Sequence, residues 1–170
     1  MKYQMEQFYK DLKELHIELS DIQISQFITY YELLTEWNSF MNLTAITDFD
    51  EVCKKHFIDS ISFIKAKEEI FRITGKNPER DVLTVIDVGT GAGFPGIPLK
   101  IVFPNLKITL LDSLNKRVNF LNEVIEKLHL EGINAVHGRA EDFARKEDYR
   151  NSFDLALSRA VANMSTLSEY

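Results

Sequence analysis

The sequence predicts an α/β protein: a Rossmann-like, doubly wound parallel sheet preceded by an N-terminal helical extension. Three observations carry that expectation. Apolar residues recur at helical spacing through the N-terminal part of the chain. After residue 80, short β-branched runs alternate with helical ones. The first of these runs, ending at Val88, passes straight into Gly89-Thr90-Gly91-Ala92-Gly93, the order in which a ligand-binding sheet places strand, turn and helix. The change of pattern divides the chain into a helical region packed on the core, residues 1–78, and a sheet-bearing core, residues 79–170. Gly75-Lys76-Asn77-Pro78 forms the linker.

In the helical region, Met5, Phe8, Leu12 and Leu15 fall on one helix face. Ser20 and Gln23 stand at capping-box spacing, with Leu19 and Ile24 placed to staple the same helix start. The helix they open puts Ile24, Phe27, Ile28, Tyr31 and Leu34 on its apolar face and is expected to fade at Trp37-Asn38-Ser39. A loop through Asn42-Leu43-Thr44-Ala45-Ile46-Thr47 comes next. Asp48 with Glu51 marks a further helix start, running through Phe57, Ile61 and Ile64.

In the core, the runs 82–88, 107–111, 133–136 and 153–157 read as buried parallel strands. Between the second and third lies a helix with Val118, Leu121, Val124, Ile125 and Leu128 on its apolar side and Gly132 just beyond its end. Right-handed crossovers are expected between the strands. After the fourth strand only a dozen residues remain, reading as the start of another helix. A sheet ending there leaves an apolar edge, so either the fold is smaller than usual or C-terminal strands of a longer protein are missing.

Composition narrows the function. The formal net charge of −6 argues against coating bare nucleic acid by bulk charge, while leaving room for a local basic patch. The single cysteine, Cys53, cannot close an internal disulfide, which suits a reducing cytoplasm. No signal peptide and no membrane span of roughly 20 apolar residues is visible, and no metal site is expected.

The glycine turn carries the chemistry. Gly91 to Gly96 also fits the G-x-G-x-x-G pattern of dinucleotide sites, so a nicotinamide or flavin enzyme is a rival reading. Asp87 argues against it. A carboxylate at the strand end repels a pyrophosphate but suits the ammonium of a methionine moiety. Phe94-Pro95 also stands where a pyrophosphate wants bare backbone amides. S-adenosylmethionine, cationic and phosphate-free, is therefore the favoured ligand. Asp112, ending the second strand, can accept hydrogen bonds from both ribose hydroxyls, or can cap the next helix. The loop Gly138-Arg139-Ala140-Glu141 follows the third strand, where an adenine edge would lie; Glu141 reads equally as a helix-start acid. Arg159, after the fourth strand, is either an anchor for a phosphate or the cofactor carboxylate, or a surface salt bridge. That loop lacks the Asn or Asp with prolines of amino-group methylases, and no cysteine lies near it for cytosine C5 chemistry. An acceptor with a free lone pair fits best, held in line with the methyl group.

On these residues the chain resembles the ribosomal RNA small-subunit methyltransferase G family, also called glucose-inhibited division protein B. The match spans Trp37-Asn38, Asn42-Leu43-Thr44-Ala45-Ile46, His56 with Asp59-Ser60, Asp87 through Pro98, Leu111-Asp112-Ser113 with Lys116-Arg117, and Ser158-Arg159-Ala160-Val161-Ala162. The resemblance implies a class I S-adenosylmethionine methyltransferase fold and methylation of guanine N7 in 16S ribosomal RNA of the small subunit. It implies that Gly89 and Phe94 line the cofactor site, that Ala140 and Glu141 meet its adenosine end, and that Arg159 completes the pocket. Asp87, Gly91, Gly93 and Asp112 join them from the residue reading. Lys54, Lys55, His56, Lys116, Arg117 and Arg159 are candidate RNA contacts, though each one taken singly reads more readily as solvated surface, and His56 reads equally as a structural histidine. Two other readings stay open: a cofactor-binding module without catalysis, and a methyltransferase with a non-RNA substrate.

Overall fold

The computed structural model describes residues 2–145, 149 and 152–159. Helix α1, Glu6–Glu14, buries Met5, Phe8 and Leu12 as its spacing requires. Helix α2, Asp21–Met41, opens with the capping box: Ser20 Oγ accepts from the Gln23 amide, and the Gln23 side chain accepts from the Ser20 amide. It does not fade at Trp37. It runs one further turn because Trp37 packs on Phe40 and on Phe120 of a later helix, and it ends where Asn42 turns left-handed at φ 52°. Its buried face holds Ile24, Phe27, Tyr30, Leu33 and Leu34, so Tyr30 takes the place expected for Tyr31.

Asp48 caps the next start by accepting from the Glu51 amide. From there the chain forms one helical run of changing pitch: α3, Phe49–Val52; a π-helical turn, Cys53–Ile58; α4, Asp59–Ile61; a 3₁₀ segment, Ser62–Ala66; and α5, Lys67–Thr74. Gly75 closes α5 in the left-handed conformation, as a helix-ending glycine should.

The four strands are β1, Thr84–Val88; β2, Lys107–Asp112; β3, Ile133–His137; and β4, Leu155–Ser158. All pairs are parallel, in the order β3-β2-β1-β4. The chain steps outward from β1 to β3 and returns to the other side of β1 with β4. The order therefore reverses at β1, and the carboxyl end of β1 is where such sheets bind ligands. Helices α6, Gly96–Val102, α7, Asn115–Lys127, and the short α8, Ala140–Ala144, connect the strands. The stretch after Arg159, including Ala160-Val161-Ala162, lies outside the described residues.

Helix α6 is buried at every residue, Lys100 included. A helix apolar all round needs partners on both sides, and α6 has them: β2 on one, α2 and α4 on the other. Lys100 keeps its ammonium satisfied by donating to the Pro104 and Leu106 carbonyls. One continuous apolar core joins the N-terminal helices to this face of the sheet. The other face carries a smaller cluster of Ile86, Leu111 and Phe143, with Tyr149 stacked on Phe143.

Candidate cofactor-binding site

The glycine turn leaves β1 folded back on itself. The amides of Gly89 and Thr90 both donate to the Leu111 carbonyl of β2, at 2.8 and 3.1 Å, and those of Gly93 and Phe94 to the Thr90 carbonyl. Two buried acids hold this shape from beneath. Asp87 Oδ2 accepts from Thr90 Oγ1 at 2.6 Å and from the Gly96 amide at 2.8 Å, tying the strand to both ends of the turn. Asp112 Oδ2 accepts from the Gly91 amide at 2.9 Å, while its Oδ1 accepts from the Leu114 amide. Asp112 thus closes a turn two residues on instead of capping α7. Arg117, in the first turn of α7, approaches Asp112 Oδ2 at 3.6 Å.

Glycine is required at two of these positions for opposite reasons. A Cβ on Gly96 would collide with Leu110 and sit 2.9 Å from Asp87 Oδ2, so α6 packs on β1 and β2 only without a side chain there. Gly91 has φ 62°, and a Cβ on it would meet nothing within 4 Å. The backbone at Gly91 borders open space, available to a ligand that comes close.

Asp87 is fully buried, and its Oδ1 is without a hydrogen-bond partner among the described residues. Burial raises its carboxyl to about 6; the bonds from Thr90 and Gly96 and the charge of Arg159 oppose that rise, while Asp112 adds to it. A buried acceptor oxygen left over is costly unless something else uses it.

The helical extension reaches the turn through groups that periodicity alone does not single out. Tyr30, wholly buried on α2, donates its hydroxyl to the Ala92 carbonyl. Burial, then the nearby Asp87 charge, holds that phenol well above its ordinary range, so it stays a donor. Gly93 packs beneath it and against Ile97. Phe94 is buried, its ring stacked on His56 at 4.6 Å and packed near Tyr30 and Phe57. Spacing admits Tyr30 and Tyr31 equally on the apolar face of α2, so only packing could choose.

Arg159 joins the site from the end of β4. Its guanidinium lies 5.1 Å from the Phe94 ring centre and bonds Asp59 Oδ2 at 3.0 Å. It is therefore both an ion-pair partner and part of the wall around the glycine turn. Ala140 and Glu141 open α8 directly after β3, with Glu141 in the first turn. Leu114, beside Asp112, is an exposed apolar side chain at the same edge. Of the basic candidates, Lys54 is exposed on the π turn, and Lys55 there pairs with Glu51. Lys116 is exposed on the first turn of α7. Among the described residues no bond links this pair of lysines to Lys116 or Arg117.

A family model described as rRNA small subunit methyltransferase G matches residues 23–170. The chain belongs to that family. Over 163 residues it is 55% identical to a ribosomal RNA small subunit methyltransferase G from Lachnoclostridium phytofermentans, covering 95% of this chain and 63% of the relative. A Lactococcus lactis protein of the same name is 48% identical over 165 residues, covering 97% of this chain and 66% of that one. The chain thus spans about two thirds of the length of the family members it matches. In fold it is similar to a solved structure of MtNAS in complex with MTA and tNA, with a TM-score of 0.50 and 17% identity over 84% of this chain and 46% of that one. The Rossmann-like, doubly wound sheet expected from the sequence is present, as four parallel strands. Among the described residues no helix is long and apolar enough to cross a membrane.

Proposed function

We propose that the protein transfers a methyl group from S-adenosylmethionine to N7 of a guanine in 16S ribosomal RNA, working on the small ribosomal subunit in the cytoplasm. The observation that carries this reading is the buried Asp87 carboxylate at the carboxyl end of the central strand, with one oxygen unpartnered among the described residues, bonded to the turn that carries the open backbone of Gly91. A carboxylate there favours a cation and disfavours a pyrophosphate, so the site suits a sulfonium nucleoside with an ammonium group better than NAD.

The remaining groups fit the same ligand. Asp87 Oδ1 takes the ammonium. Asp112 has lone pairs beyond the two it uses, and these accept from the ribose hydroxyls. Gly89, Gly91 and Gly93 give the backbone its close approach, with Phe94 anchoring the turn against the helical extension. Leu114, Ala140 and Glu141 border the adenosine end, and Arg159 takes the carboxylate. When bound, the cofactor supplies an electrophilic methyl group. The protein supplies position: guanine N7 carries a lone pair and no proton, so in-line placement does the catalysis and no base is required. Lys54, Lys55, Lys116 and Arg117 are the cationic candidates for backbone phosphates.

The reading is tested by transfer of labelled methyl from S-adenosylmethionine to small-subunit RNA, with the product located at guanine N7. Label that survives ribonuclease would place the acceptor on something other than RNA and overturn the reading.

A further inference from the structure

His56 occupies a place that the methyl-transfer scheme leaves unexplained. Its ring is half-buried on the π turn, flat against Phe94. Nδ1 lies 3.3 Å from Arg159 Nη2, and Nε2 lies 2.9 Å from Thr44 Oγ1. A guanidinium only donates, so Nδ1 must be the acceptor and the ring hydrogen must sit on Nε2. That hydrogen then donates to Thr44 Oγ1, which also accepts from the Ile46 amide at 3.1 Å. The Thr44 amide in turn donates to Asn38 Oδ1 at 2.8 Å. One chain of hydrogen bonds therefore runs from the end of α2, through the 42–47 loop and His56, to Arg159.

The same helical segment holds the guanidinium at its other edge. Arg159 Nη1 bonds Asp59 Oδ2 and approaches the Lys55 carbonyl at 3.4 Å. Only the neutral imidazole completes this cradle. A protonated ring would aim N–H at N–H across 3.3 Å, between two like charges. The charged groups facing His56 are Arg159 from β4, Asp59 from α4 and Lys55 beside it on the π turn. Burial first, and the Arg159 and Lys55 charges with it, hold the imidazole below its ordinary value, against the opposing pull of the Lys55 backbone and Asp59.

We infer that His56 is a positioning residue. As a neutral Nε2–H tautomer it fixes the Arg159 guanidinium against the glycine turn, and the helical extension thereby sets cofactor affinity through it. The inference deepens the proposed function and rests on Arg159 meeting the cofactor carboxylate. Its sign with pH is fixed: affinity holds above the imidazole's titration and falls as pH drops through it.

The test combines two measurements. Two-dimensional ¹⁵N–¹H spectra of the histidine rings at about pH 7.5 read the tautomer of the ligand-free chain directly. Calorimetric titration with S-adenosylhomocysteine then compares the parent with His56→Ala and His56→Asn at about pH 7.5 and about pH 5, the lower value chosen because the folded imidazole is held below histidine's ordinary range. The amide oxygen of the Asn variant can stand in for Nδ1. The expected result is a neutral Nε2–H ring, with affinity about tenfold weaker in His56→Ala, the scale of one charge-assisted bond, and largely kept in His56→Asn. The parent should also weaken more than His56→Asn between the two pH values. Asp87, which titrates in the same range, is common to both and cancels from the comparison. A protonated or Nδ1–H ring at the higher pH, or an Ala variant that binds like the parent, overturns the inference alone. A parent that binds no S-adenosylhomocysteine at either pH overturns it together with the proposed function.

Discussion

The two sides of the site are held in different ways. The floor, from β1 through the glycine turn to α6, is held by buried groups bonded to backbone: Asp87 to Gly96, Asp112 to Gly91, Tyr30 to Ala92. The flank at Arg159 is held by side chains that water partly reaches, with Asp59 57% and Arg159 30% exposed. Buried hydrogen bonds are costly to break because the group left behind has no water to turn to. Half-exposed ion pairs are weak, screened and adjustable. The floor therefore sets the shape of the site, and the flank tunes it.

Substitutions sharpen that contrast. The largest effect is expected at Gly96→Val, where the new side chain meets Leu110 and Asp87. Overpacking together with the lost Asp87 bond should cost more than about 3 kcal/mol in urea unfolding. Tyr30→Phe leaves the Ala92 carbonyl buried without its donor and should cost about 2 kcal/mol, with the α2 helix content unchanged by circular dichroism.

Next comes the pH dependence of Asp87. Its folded carboxyl sits at about 6 against an ordinary 3.8, so the folded chain binds that proton more tightly than the unfolded one. Its contribution is fully present below about pH 4 and is lost as pH rises through about 6. Between about pH 5 and about pH 7.5 the ligand-free parent should therefore lose about 1.5 kcal/mol that Asp87→Asn does not lose. The smallest effect belongs to the flank. Asp59→Asn should change stability by less than about 1 kcal/mol, and less again in high salt. An Asp59 effect as large as that of Tyr30 would erase the distinction between floor and flank.

The same contrast explains how much of the molecule is legible in its sequence. The Asp87 part of the floor is built from local relations, Asp87 reaching Thr90 and Gly96 within one turn, as Ser20 reaches Gln23 within one helix start. Spacing exposes such relations directly, and the four strands follow from short, mostly apolar runs, β-branched in the first three. The flank is built from contacts a hundred residues apart, such as His56 with Arg159, which no periodicity announces. Tyr30 escapes the spacing argument because a helix face tolerates either neighbouring tyrosine. The extra turn of α2 escapes it because Trp37 and Asn38 are weak helix formers, and the packing of Trp37 on Phe40 and on Phe120 of α7 overrides propensity.

The central claim is that a buried carboxylate beside an open glycine backbone selects a cationic, phosphate-free nucleoside. Calorimetric titration of the parent chain and of Asp87→Asn with S-adenosylmethionine and with NAD tests it most directly. The account predicts that the parent binds S-adenosylmethionine and not NAD, and that Asp87→Asn, folded by circular dichroism, binds it at least about tenfold more weakly. Binding of NAD by the parent, or unchanged affinity in the variant, would contradict it.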